Sequence, residues 1–202
     1  MREAGGGRTY YWERHTEGDG QWRGEERPAR EDLAALRRGL GREAGEVPQM
    51  WPFYQTLNEQ GRLTWELSAE HLALTLFAVH QRGKDRPVHR ADIGLGTAML
   101  ALRRSGKYSP EAIDRRFSAA ATATSLTELT GHLRGLITQL RAAGRDGGEH
   151  ALDYTRLTAD LRDWQRPERA AAVRRRWGSQ YFAPRPEQPD PGNAAPGATP
   201  GI

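Results

Sequence analysis

Any chemistry in this sequence has to come from histidines, carboxylates or arginines, because the chain has no cysteine. His71, His80 and His89 follow one another at nine-residue steps. Each step turns roughly 180° on a helix, so the three cannot converge on one metal ion. No H-x-x-x-H pair or carboxylate–histidine set has ligand spacing, and lone histidines of this kind are structural or exposed. Gly94-x-Gly96 lacks the preceding strand and the third glycine of a dinucleotide loop. These glycines suit a turn or close helix packing instead. Asp153, Asp160 and Asp163 have spacings equally common on a solvated helix face. No serine sits in a nucleophile elbow, and there is no P-loop. A protein that is not an enzyme, with no metal or other cofactor, is expected.

The arginines are a different matter. Of 30 basic residues only Lys84 and Lys107 are lysines, leaving 28 arginines. A planar guanidinium suits phosphate, because its fork donates two parallel hydrogen bonds; a GC-rich genome would also favour arginine over lysine. The placement of charge says more than its total. Residues 1–100 carry 14 basic and 15 acidic residues, a balance of −1, and residues 101–182 carry 15 against 9, a balance of +6. The basic surface therefore belongs mainly to the second half. From 129 to 145 there is no acid, while Arg134, Arg141 and Arg145 all fall there.

These arginines must be carried by helices, because helical periodicity recurs along the chain and no strand-like alternation stands out. Residues 31–40 place Leu33, Leu36 and Leu40 on one stripe and stop at Gly41. Residues 47–57 read as a short aromatic-rich helix with Met50, Trp51 and Tyr54. Residues 68–81 start at Ser68 as N-cap and are apolar on most sides, which predicts a central helix. Residues 82–93 form a charged loop, and 94–104 form another helix with Leu95, Met99 and Leu102 inward. Ser109-Pro110-Glu111 supplies an N-cap, a proline at N1 and an acid in the first turn. Residues 126–142 are amphipathic through Leu126, Leu129, Leu133, Leu136, Ile137 and Leu140, and Gly144, Gly147 and Gly148 end them. Two more helices follow, one ending near Trp164 and one over 167–182, opened by Pro167. The fold expected is all-α, two small helical bundles packed together with about eight or nine helices.

On these helices, at about 100° per residue, Arg134 and Arg141 share one flank of the leucine stripe, ~10 Å apart along the axis. Ile113, Phe117 and Ala120 face inward, which puts Arg116 on the flank and Arg115 outside. Arg38 points away from the leucines of 31–40 and Arg37 sits at their edge. Each arginine taken singly also fits a surface residue or an ion-pair partner.

Residues 1–8 and 183–202 are too rich in glycine, proline and polar residues to order themselves, and mean hydropathy is −0.80. The organisation expected is a flexible terminus at 1–8, a helical half over 9–93, a helical bundle over 94–182 and a disordered tail. No N-terminal apolar run resembles a signal peptide, and no stretch approaches the ~20 apolar residues that span a bilayer. A cytoplasmic protein without a membrane partner is expected.

The order of features resembles one family. The pieces are Ala34-Ala35-Leu36-Arg37-Arg38, an aromatic helix with Trp51, Phe53 and Tyr54, and the apolar helix 72–80. Then come Ile93-Gly94-Leu95-Gly96, Ser105-Gly106-Lys107 and Ala112-Ile113-Asp114-Arg115-Arg116-Phe117. Leu133-Arg134 follows, with Leu152-Asp153-Tyr154 and Asp163-Trp164 through Arg166-Pro167-Glu168-Arg169 closing the series. This collinear series over residues 30–182 resembles CasB, the small subunit of the type I-E CRISPR surveillance complex (Cascade).

The resemblance implies an all-helical protein present as two copies in a larger ribonucleoprotein, beside other Cascade subunits. There it would touch crRNA (the guide) and the target DNA, and help hold the displaced non-target strand of the R-loop. Positions matching basic ones in the family are Arg37, Arg38, Lys107, Arg116, Arg134, Arg166 and Arg169. Helical geometry independently nominates Arg38, Arg116 and Arg134, and Arg141 comes from geometry alone. The sequence departs from the family pattern after Phe117, where Ser118 to Thr124 hold no arginine, and in its unusual N-terminal segment around Tyr10, Tyr11 and Trp12. Two other classes stay open: a helix-turn-helix DNA-binding regulator using residues 105–117, and a protein–protein adaptor whose arginines only solubilise it.

Overall fold

Helix α3 (Trp65–Gln81) is the centre of the molecule, and its sequence explains why. Every residue from Leu67 to Gln81 except Val79 is buried, so it has no polar face to give to water. The computed structural model describes residues 9–144 and 150–182. Arg145, Gly147, Gly148 and the expected flexible terminus and tail lie outside them. Among the described residues there are eight α-helices and one 3-10 helix, with only two isolated bridges, Thr16–Trp22 and His89–Leu152. The all-helical expectation holds.

The other α-helices are α1 (Tyr11–His15), α2 (Arg30–Arg37), α4 (Leu95–Arg104), α5 (Pro110–Thr122), α6 (Leu126–Ala143), α7 (Tyr154–Trp164) and α8 (Pro167–Tyr181). Helix α3 packs against α2, α6 and α7, while α4 packs against α5, α6 and α8. Apolar side chains from Tyr11 to Tyr181 form one continuous cluster.

Three local expectations are corrected. The N-cap of α3 lies four residues before the expected Ser68. Thr64 is the N-cap, its hydroxyl accepting from the Leu67 N–H at 3.1 Å, and Ser68 lies buried inside the helix. The aromatic segment is a 3-10 helix, Pro48–Phe53. Pro52 has no N–H to donate to the preceding turn, which prevents an α-helix there. Helix α2 ends at Arg37 rather than at residue 40, and the chain turns through Gly41 at φ +74°. Elsewhere the capping pattern holds: Ser109 accepts from Ala112 N, with Pro110 opening α5.

The N-terminal segment is part of the core. The Trp12 ring lies 5.9 Å from Phe77 and 5.6 Å from Tyr154, with no exposed surface. Its Nε1 donates to Thr155 Oγ1 at 2.9 Å. The charged loop 82–93 is gathered by Gln81, whose amide donates to the carbonyls of Lys84 and Arg86 and accepts from Val88 N. The loop is covered by the N-terminal extension, where Trp22 Nε1 donates to the Asp85 carbonyl at 2.8 Å. Gly96 lets α4 meet α8, since a Cβ there would stand 2.2 Å from the Trp177 carbonyl. Close helix packing is thus the role of that glycine.

Candidate nucleic-acid interface

Helices α5 and α6 pack against each other through the apolar faces read from their periodicity. Ile113, Phe117 and Ala120 of α5 are buried, as are Leu129, Leu133, Leu136, Ile137 and Leu140 of α6. This fixes which arginines turn outward. Arg116 and Arg134 are both exposed and line one depression of about 340 Å³ with Gly131, Gly135, Thr138 and Gln139. Neither arginine has an ion-pair partner among the described residues. Gly131 and Gly135 meet nothing in the space where a side chain would stand, so the helix backbone itself forms the floor. On its other side Arg134 borders a groove of about 390 Å³ that also holds Arg42, Leu40, Leu63, Leu126 and Thr130.

The C-terminal end of α6 gathers further basic residues. Arg141 Nε donates to the Arg82 carbonyl at 2.9 Å. Arg37, half-buried at the end of α2, has its guanidinium held below the ordinary arginine value by burial, and then by the charges of Arg82 and Arg141. Lys107, on the turn between α4 and α5, donates its Nζ to the Ala142 carbonyl in the last turn of α6. Arg38 is exposed beside Arg37 on the turn that ends α2.

Arg166 and Arg169 lie elsewhere, where α7 turns into α8. Arg166 pairs with Glu66 at 3.3 Å and its guanidinium stands 4.7 Å over the Trp65 ring. Arg169 pairs with Asp163 at 3.2 Å, and Asp163 also holds Arg162 at 3.1 Å. Glu66 and Trp65 open α3, whereas Arg82 closes it, so the two groups of arginines are ~25 Å apart along that helix. Other arginines tie the fold together: Arg103 is bidentate to Asp114, Arg176 pairs with Asp160, and Arg174 donates to the Ala123 carbonyl. Arg82 and Arg42 were not visible as site residues in the sequence, because neither lies on an amphipathic helix flank.

His71, His80 and His89 are buried hydrogen-bonding nodes. His71 lies 2.7 Å from the Tyr54 hydroxyl and 3.0 Å from the Gly39 carbonyl. His89 Nδ1 accepts from Tyr154 N at 3.1 Å. Among the described residues no group of three or more histidines or carboxylates could hold a metal ion, and no helix is long and apolar enough to cross a membrane.

Fold and surface together define an all-helical protein with arginines gathered along one helix. The family model described as CRISPR-associated protein Cse2 matches residues 32–182, and this chain belongs to that family. Among solved structures, CasB from Thermobifida fusca is 30% identical, covers 75% of this chain and 84% of its own, and has a TM-score of 0.57. A Cse2-family CRISPR-associated protein from Thermus thermophilus is 25% identical with a TM-score of 0.56, over 75% of this chain and 85% of its own. CasB from M. ruber, 23% identical, covers 78% of this chain and 86% of its own at a TM-score of 0.59, a likeness of fold. A comparison with the curated proteins found no match.

Proposed function

We propose that this chain is a non-catalytic nucleic-acid-binding subunit of a type I-E CRISPR surveillance complex, working in the cytoplasm with other Cascade subunits and a second copy of itself. The observation that carries this reading is the pairing of Arg116 and Arg134 over a glycine floor with no carboxylate partner. A phosphodiester can approach the α6 backbone there and take charge-assisted hydrogen bonds from both guanidiniums. Arg38 extends the positive surface, and Arg166 and Arg169 contribute less because a phosphate would compete with Glu66 and Asp163. Such contacts hold backbones without reading bases. In RNA-guided recognition base pairing reads the sequence, and protein contacts with the guide RNA, target and displaced strands tip a nearly balanced strand exchange. The R-loop is the state so stabilised.

The test is fluorescence anisotropy with unrelated single and double strands across a salt series. Wild-type affinity falls steeply with salt, and Arg116→Glu with Arg134→Glu reduces it at least tenfold. Strong preference for one duplex sequence would support a regulator instead. Absence of binding at low salt, together with failure to co-purify with a guide-RNA complex, would overturn the reading.

A further inference from the structure

We propose that the groove between the turn after α2, the loop before α3 and the first half of α6 docks a protein segment whose aliphatic side chains are flanked by carboxylates. The inference does not depend on the nucleic-acid reading above, and it concerns the other side of Arg134.

Three pieces of chain build this groove of about 390 Å³. Leu40 lies on the turn after α2, Leu63 just before α3, and Leu126 opens α6. The buried Leu72 of α3 lines it with them. Packing of α2 and α6 on α3 is what joins these leucines, which are far apart in the chain. Leu63 is 51% exposed, and the loop before it is held in place. Asn58 Nδ2 donates to the Arg62 carbonyl at 2.8 Å, while Arg62 N donates to Asn58 Oδ1 at 3.0 Å. Further back, the N–H groups of Gln55 and Thr56 donate to the buried Glu70 carboxylate at 2.7 and 2.9 Å. Leu63 is therefore positioned in advance, and a partner does not have to order the loop on binding.

A single exposed leucine needs no explanation, but contiguous apolar surface rimmed by charge marks a protein contact. Polar groups inside the groove already have partners. His71 is held by the Tyr54 hydroxyl and the Gly39 carbonyl, and Thr130 donates to the Leu126 carbonyl. None of its lining residues is an exposed aromatic ring on which a base could stack. A phosphodiester laid along it would leave the leucines in water, whereas aliphatic side chains would bury them. The charge on the rim then selects what flanks those side chains. Arg42 stands on the wall after α2 and Arg134 on the α6 wall, both exposed, against one acid, Glu43. Neither arginine is in an ion pair among the described residues. Two guanidiniums on facing walls of an apolar groove complement carboxylates on either side of a buried side chain.

The backbone is bare at two points along the groove. Gly41 and Gly131 both line it, and both meet nothing in the space where a side chain would stand. A partner's main chain can therefore come close to each wall. Gly131 and Arg134 also line the depression that holds Arg116, so the two surfaces share an edge. A guanidinium has enough N–H donors to face both.

The experiment uses the full chain with Leu63→Ser and Arg42→Glu, each checked for wild-type helicity, and Arg116→Ala as the control for the neighbouring surface. The probe is a short fluorescein-labelled peptide of alternating leucine and glutamate, followed by anisotropy. Two further peptides replace glutamate by lysine or leucine by serine, and an oligothymidine is measured in parallel. The expected result is that wild type binds the leucine–glutamate peptide about tenfold tighter than either control peptide. Leu63→Ser and Arg42→Glu each weaken that binding about fivefold, and Arg116→Ala leaves it unchanged. Leu63→Ser binds oligothymidine as wild type does. If the three peptides bind alike, or if Leu63→Ser holds the leucine–glutamate peptide as wild type does, the docking groove is overturned. If Leu63→Ser instead loses affinity for oligothymidine, the groove takes nucleic acid and the proposal is likewise overturned.

Discussion

His80 Nδ1 and the Tyr154 hydroxyl lie 3.0 Å apart where α3 packs on α7. Both side chains are buried. Burial pushes His80 down to about 3, and the charges of Lys84, His150 and Arg141 add to the effect. His15, His71 and His89 are also lowered, chiefly by burial. The unfolded chain takes up protons that these folded histidines refuse. Their contribution is therefore intact above about pH 6.5 and is lost as pH falls toward 3. Unfolding free energy measured in urea should drop between pH 7.5 and pH 5, by on the order of 2 kcal/mol from His80 alone. A flat profile over that window contradicts the assignment. Asp114, Glu128 and Asp163 are lowered carboxylates, so their contributions are lost below the ordinary carboxylate range, outside it.

Glycines on two helices should respond to alanine with opposite signs. A Cβ on Gly96 would meet the Trp177 carbonyl at 2.2 Å, and backbone cannot step aside without moving α8. Gly96→Ala should lower stability by about 3 kcal/mol. Gly131 has open space, so Gly131→Ala should raise stability by about 0.5–1 kcal/mol through helix propensity. Denaturant midpoints for the two variants check both signs together.

The N-terminal segment should be indispensable to the fold although it lies outside the family match of 32–182. Trp12 is fully buried among Phe77, His89 and Tyr154. Trp12→Ala should cost about 3–5 kcal/mol. Deletion of residues 1–27 should give a chain that loses cooperative thermal unfolding; a wild-type transition in that deletion would refute the role.

Asp160 is the carboxylate on which α7 and α8 depend. It is 3% exposed and accepts from Arg176 at 2.5 Å and from Trp177 Nε1 at 2.6 Å. Asp160→Ala strands both donors and should cost about 3 kcal/mol. Arg169→Ala, whose exposed partner is Asp163, should cost less than about 1 kcal/mol. Equal losses for the two variants would show that burial is not what distinguishes them.

Much of the fold was legible because it is locally encoded. The leucine stripe of α6, the Ser109-Pro110 start of α5 and the Pro167 start of α8 each depend on residues within one or two turns. The same periodicity placed Arg116 and Arg134 outward, since burying one face of a helix decides the other. It misplaced the start of α3, because Thr64 and Ser68 are both competent caps and packing chose the earlier one.

What remained for the tertiary structure were contacts between residues far apart in the chain. Periodicity cannot show that Glu66 meets Arg166, 100 residues away, or that Lys107 closes the last turn of α6. Nor can it show that Arg141 reaches across to the Arg82 carbonyl at the end of α3. The sequence alone determined the helices and their faces, through hydrogen bonds and side-chain spacing within each turn. Only packing of those faces around α3 decided which arginines pair with carboxylates, as Arg103, Arg166 and Arg176 do, and which, like Arg116 and Arg134, stand exposed without one.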